Sequence, residues 1–286
     1  MSIPNFAGKF SSKPLFNPSD FLAYLKQIGK PLSHRPAPDA VILSYQKSLF
    51  DHVVEHYPVE RAQGYFGQFI YYLDGPQDVP PQDQNTPKEL KLGQRQQSPQ
   101  SQARRQLAIA AGFGVGAPAA AVMLEELIAW GVRDFVSMGM AGSLREDLPP
   151  GSIVLCDSAI RDEGTSYHYL PDDSDVFSDR ALTEKLAHEL SAAGLPFARG
   201  ATWTTDAIYR ETPVEVEYFQ KKGAMVVEME AAALFAVAAN RHARLASCFS
   251  VSDTLAYLEW KPEFHSEATQ ETLEKLFRVA CDVLMG

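Results

Sequence analysis

Val226-Val227-Glu228-Met229-Glu230-Ala231-Ala232-Ala233-Leu234 contains the change of pattern that decides the fold. A short β-branched apolar run reads as a buried strand, and the alanine-rich run behind it reads as a helix. Two carboxylates stand at the junction. The same alternation runs outward on both sides. Val41–Leu43, Leu107–Ala111, Phe135–Met138, Ile153–Ala159 and Leu245–Val251 read as strands. Gln46–His56, Ala117–Trp130, a segment capped by Ser178 and ending at Gly194, Met229–Arg241 and Glu267–Leu284 read as helices. Phe66–Leu73 reads as a further strand running into the turn Asp74-Gly75-Pro76. Strands alternating with helices predict an α/β protein, a three-layer αβα single domain with a central mixed, largely parallel sheet. Ligands then bind at the carboxyl ends of the strands.

The bulk properties narrow the classes. A chain of 286 residues with 45% hydrophobic content can bury a sizeable core. Its formal net charge of -10 opposes a nucleic acid polymer as partner, whereas a small anion can still find a local positive pocket. Cys156, Cys248 and Cys281 are scattered and form no C-x-x-C pair, which predicts free thiols, a reducing compartment and no metal. No apolar stretch approaches the roughly 20 residues of a membrane span, and the first residues carry no secretion-type apolar run. A cytoplasmic protein without a membrane partner is expected. Residues 1–30 read as an N-terminal arm with a short helix from Pro18, and residues 31–286 as the domain. Within it, 76–105 is rich in Gln, Pro and Ser and reads as a polar loop insertion.

Five local patterns bear on chemistry. Gly112-Phe113-Gly114-Val115-Gly116-Ala117 fits a dinucleotide fingerprint, but the following strand ends at Met138-Gly139-Met140 without the acidic residue that a dinucleotide ribose requires. Its glycines read better as permitting close backbone approach. His52-Val53-Val54-Glu55-His56 has the H-x-x-E-H order of a zinc motif, yet no third ligand announces itself, and a polar helix face explains it as well. Ser137-Met138-Gly139-Met140-Ala141-Gly142-Ser143 follows a buried strand. It is either a tight turn or a loop whose N–H groups cradle an anion. Glu228 and Glu230 at a helix start could serve as caps. At the end of a buried strand they could instead bind the vicinal hydroxyls of a sugar such as ribose, a reading stronger for Glu230 than for Glu228. Asp253, after the strand Leu245–Val251, could cap a turn or, in a closed pocket, donate a proton.

Taken in order, these segments resemble the nucleoside phosphorylase family of purine and uridine phosphorylases and the related nucleosidases, over roughly residues 34–286. Gly114-x-Gly116-x-Pro118 with Glu125-Glu126-Leu127 and Gly131-Val132 resembles the family's first crossover helix. Gly139-Met140-Ala141-Gly142-Ser143 resembles its Gly-rich loop. Arg161 to Ser166 with His168 to Pro171, and Trp203 to Ala207 with Tyr209-Arg210, resemble its substrate-proximal segments. Glu228-Met229-Glu230 followed by three alanines is the most specific match, and Val251-Ser252-Asp253 resembles the acid motif of the purine branch.

The resemblance implies a phosphorylase/hydrolase-like fold and a set of roles. Glu230 and Asp253 would be catalytic. Met229, Glu230, Glu228 and His34 would bind ribose, with His34 reaching the site of a neighbouring subunit in a homo-oligomer. Thr205, Asp206, Arg210 and Arg161 would meet the base. Gly139, Ala141, Gly142 and Ser143 would form the anion loop. The substrate would be a small-molecule nucleoside, with inorganic phosphate as cosubstrate and no other cofactor.

Two departures bear on the phosphate. The family's G-D-P-x-R segment is replaced by Ser44-Tyr45-Gln46-Lys47-Ser48-Leu49, and Ser137 stands where a second phosphate arginine is expected. Lys47 and Arg161 are the substitutes on offer. Phosphorolysis of a purine nucleoside or uridine is therefore the first expectation. Hydrolysis by a nucleosidase is the second, and a non-catalytic nucleoside-binding protein the third. Asp253 leans toward purines, whereas Arg210 would suit the carbonyl oxygens of uracil.

Overall fold

A computed structural model describes residues 8–73 and 105–286. The strands are β1 (Ala40–Ser44), β2 (Val59–Arg61), β3 (Ile70–Leu73), β4 (Leu107–Ala110), β5 (Asp134–Ser143), β6 (Ile153–Asp162), β7 (Val176–Phe177), β8 (Phe197–Thr205), β9 (Ala224–Glu228), β10 (Arg244–Thr254) and β11 (Lys261–Pro262). The α-helices are α1 (Pro18–Gln27), α2 (Lys47–His56), α3 (Ala117–Trp130), α4 (Arg180–Ala192), α5 (Pro213–Lys221), α6 (Ala231–Arg241) and α7 (Glu267–Met285). Of the polar segment 76–105, all but Arg105 lies outside the described residues.

The strands form one sheet in which β10, β6, β8, β9 and β5 pair in turn and β5 pairs back to β10, so five strands close into a ring. A tail of β1, β4, β3 and β2 leaves from β5. Among the described residues five pairings are parallel and six antiparallel, so the sheet is mixed, and the longest pairings, β10 with β5 and β6 with β8, are parallel. The reason lies in the closure. Joining β5 to β9 and β10 to β6 reverses direction at two places in the ring.

Alternation along the strands divides the core. One apolar cluster joins strand residues to α1, α3 and α6, including Leu22, Leu25, Leu124, Leu127 and Leu234. Another joins them to α2, α4 and α7, including Leu49, Val53, Leu186, Leu273 and Phe277. The helix starts follow local chemistry. Pro18 and Pro213 open α1 and α5 behind capping boxes from Asn17 to Asp20 and from Thr212 to Glu215. Asp179 rather than Ser178 caps α4, accepting from Leu182 N at 2.8 Å. Phe66 to Gln68 belongs to a 3₁₀ turn, so the strand expected from Phe66 begins only at Ile70.

Buried charge ties the layers. Arg241 on α6 donates two hydrogen bonds to Glu125 on α3, at 2.7 and 2.8 Å. Glu125 is buried, so an Arg241→Ala variant leaves its carboxylate without a cation and with the Tyr169 hydroxyl as its remaining side-chain partner. We expect a loss of about 3 kcal/mol, at the low end for a buried pair because Arg241 is partly exposed. Urea denaturation of both proteins measures it, and an unchanged midpoint would contradict the expectation.

Candidate active site

β5 and β10 run further than their apolar cores suggest, to Ser143 and Thr254. Small residues make this possible. A Cβ on Gly139 would lie 3.1 Å from the Tyr45 ring, and one on Gly142 would lie 3.1 Å from Asp253 Oδ2 and 3.2 Å from Val227 Cγ1. The segment 139–143 is therefore strand, not loop. Pairing of β5 with β1 ends at Met138 and pairing with β9 begins at Gly142. Between them that edge has no strand neighbour among the described residues, and a cavity of about 610 Å³ opens there.

Glu228, Met229 and Glu230 line this cavity at the turn from β9 into α6. Glu228 is buried and accepts hydrogen bonds from Glu230 N at 2.7 Å and Ala231 N at 2.8 Å, as well as from the Thr204 and Thr202 hydroxyls. It thus satisfies the first free N–H groups of α6. Burial pushes its carboxyl up, against those donors. Glu230 accepts from Gly116 N at 2.6 Å. Gly116 has φ +93, so a glycine is needed to present this N–H. Burial first, and then the Glu228 charge, push Glu230 up to about 8.

Asp253 faces the same cavity. The register with β5 slips between Val251 and Asp253, and this bulge re-aims the side chain. Oδ1 accepts from Ser252 Oγ at 2.7 Å and Oδ2 from Trp260 Nε1 at 2.9 Å. Burial raises its pKa, and the two donors work against that rise. Glu211, which no motif indicated, also lines the cavity. Burial, followed by the charges of Asp253 and Glu215, pushes it up to about 7.

The place expected for phosphate is occupied by neutral groups. Tyr45 and Gln46 line the cavity, and Tyr45 Oη is 3.0 Å from Ser137 Oγ. Burial and Glu230 hold the Tyr45 phenol well above its ordinary range, so it stays uncharged. Lys47 is exposed and pairs with Asp51 on the solvent face of α2, away from the cavity. Arg161 donates to Ser166 Oγ and to the carbonyls of Leu170, Pro171 and Ser174, and it stacks on Tyr167. Its donors fasten the 166–174 loop and do not reach the cavity. No Lys, Arg or His lines the cavity among the described residues.

The remaining candidates divide between the cavity and other parts of the fold. Thr205 is buried and accepts from Ala207 N, Asp206 accepts from Gly164 N at 2.8 Å, and Arg210 is exposed on a 3₁₀ turn. His34 has both ring nitrogens engaged, one with Glu60 Oε1 at 2.7 Å and the other with Gln63 N at 3.0 Å. Gly139, Ala141 and Gly142 line the cavity, whereas Ser143 turns its hydroxyl to the Arg145 carbonyl. His52 and His56 stack on each other and His52 meets Glu274 across on α7, remote from the site.

A family model described as the phosphorylase superfamily matches residues 101–285, which include β5, β9, β10 and the whole Glu228–Glu230 junction. The chain belongs to the phosphorylase superfamily. Among superfamily relatives, uridine phosphorylase of Treponema pallidum is 33% identical over 142 residues, 46% of this chain and 55% of that one. The chain thus spans about half the length of that relative. Purine nucleoside phosphorylase DeoD-type 2 of Vibrio cholerae is 28% identical over 177 residues, covering 61% and 74%. The crystal structure of uridine phosphorylase from Vibrio fischeri shares the superfamily fold with a TM-score of 0.64 at 20% identity, covering 87% and 91% of the two chains. Among the described residues no helix is long and apolar enough to cross a membrane.

Proposed function

We propose that this protein cleaves the N-glycosidic bond of a nucleoside. One observation carries the reading: Met229 and Glu230 line one cavity together with Asp253, which pairs sugar-binding groups with an acid. Glu230 would hold the ribose hydroxyls and balance the positive charge that develops on the sugar as the bond stretches. Asp253, whose burial favours the protonated form, would give its proton to the departing base. The names of the relatives support phosphate as the attacking group, giving free base and ribose 1-phosphate. A second reading, attack by water, is favoured by the cavity lining, which offers phosphate no Lys, Arg or His among the described residues and sets it beside the acidic side chains of Glu211, Glu228, Glu230 and Asp253.

The unit that carries this reading is residues 31–286 as a three-layer αβα domain, with 1–30 as an arm. The division of the core between the helix set of α1, α3 and α6 and the set of α2, α4 and α7 supports the layers. We also read the protein as a cytoplasmic homo-oligomer. The exposed Tyr209 and Trp260 at the cavity support a covering second copy. Base release from purine and pyrimidine nucleosides, followed by chromatography with and without phosphate, tests the proposal. Release that needs phosphate establishes phosphorolysis, and equal release in its absence establishes hydrolysis. No release from any nucleoside would overturn cleavage altogether.

A further inference from the structure

Glu211 belongs to no motif, yet the fold places it deliberately. It stands between the 3₁₀ turn Ile208–Arg210, closed by Arg210 N to Ala207 O at 2.8 Å, and the Thr212–Glu215 capping box that starts α5. Thr212 Oγ1 and N both donate to Glu215, so the residue after Glu211 is locked. Glu211 itself makes no hydrogen bond or ion pair with another described residue, so neither capping nor surface pairing accounts for it. Its side chain lines the cavity with Asp253. The charges that reach it are Asp253 from β10 and Glu215 from α5, both acidic. Asp253 differs in being held on both oxygens, by Ser252 and Trp260.

We propose that Glu211 is a specificity-determining residue for the base, contacting the substituent beside the ring nitrogen that Asp253 addresses. This rests on the nucleoside reading above. On a purine, N7 and the C6 substituent share one edge. A 6-aminopurine offers an acceptor and a donor there, and a 6-oxopurine offers two acceptors. A carboxyl pair holding one proton matches the first, since Asp253 donates to N7 and ionised Glu211 accepts from the amino group. A pair holding two protons matches the second. Each state is accessible near neutrality because burial and Asp253 bring Glu211 to about 7. Preference therefore moves from 6-oxopurines toward 6-aminopurines as pH rises. The sign follows from Glu211 losing its donor proton on that path.

The test measures binding of free adenine and hypoxanthine by calorimetry across about two pH units centred on neutrality, with the same series for adenosine and inosine cleavage. Wild-type protein should show the adenine-to-hypoxanthine affinity ratio rising about tenfold. In Glu211→Gln, whose amide donates and accepts at every pH, the ratio should stay flat. A parallel slope in both proteins, or cleavage of nucleosides without discrimination between the bases, overturns the role of Glu211. Discrimination without cleavage leaves that role standing and overturns the enzymatic reading instead. Failure to bind or cleave anything overturns both.

Discussion

Glu230→Gln is expected to lower kcat/KM for every nucleoside by about 10²–10³-fold while the protein stays folded. The size follows from position. Glu230 is buried and its carboxylate is aimed by a 2.6 Å bond from Gly116 N. Glutamine can still accept that bond but carries no charge to set against the cationic sugar. The pH profile gives an independent reading. Burial and Glu228 hold the Glu230 carboxyl near 8, and the ionised form is the useful one, so wild-type kcat/KM should climb through that value. The variant should lack this limb. Stability should move the other way. A carboxyl raised on folding keeps its full contribution below the ordinary glutamate range and loses it as pH approaches about 8. Thermal melts should therefore show Glu230→Gln gaining on wild type as pH rises from about 5 to 8. Equal rates for the two proteins would remove Glu230 from the chemistry.

Asp253→Asn is expected to cost about 10²–10⁴-fold in nucleoside cleavage, with the loss depending on the leaving group. Asparagine keeps the size of the side chain and can still accept from Trp260 Nε1, so the bulge around Ser252 should survive. What it lacks is a proton to give. A 4-nitrophenyl riboside leaves as a stable anion and needs none. The variant should cleave that probe within about tenfold of wild type, while Glu230→Gln should lose both substrates. A uniform loss on both substrates in Asp253→Asn would show that Asp253 acts on something other than the departing base.

Much of this was legible in the sequence. The period change at Val226–Leu234 placed β9 and α6 correctly to within two residues, and it put Glu228 to Glu230 at a strand end. The bounds of α3 are legible to the residue because Gly116 and Gly131 flank an apolar run broken only by Glu125 and Glu126. The misses have physical causes. Phe197–Thr205 breaks its apolar residues with Arg199, Gly200 and three threonines, so no strand pattern marks β8, although Thr202 and Thr204 are buried against Glu228. α5 was missed despite the Thr212-Pro213-x-Glu215 signature at its start. Small residues at 139–143 imitate a loop, whereas their actual service is to let Tyr45 and Asp253 press against a strand. Arg161 carried the charge expected of a ligand contact, but loop carbonyls claim its donors. Glu211 had no pattern to betray it, because its place depends on a turn and a cap closing on either side.

Among the described residues, the two ends of the sheet carry a consequence of their own. One end is β2, a three-residue strand following Pro58 that exposes Glu60 and Arg61, with Glu60 clasped by His34 and Arg35. The other is β11, the exposed dipeptide Lys261-Pro262. Short edges bearing charge and proline give an incoming strand little backbone to grip and make it desolvate ions. Copies of this protein are thus steered away from joining sheet to sheet, and any lasting assembly is left to the helical and loop surfaces, where the exposed Tyr209 and Trp260 stand.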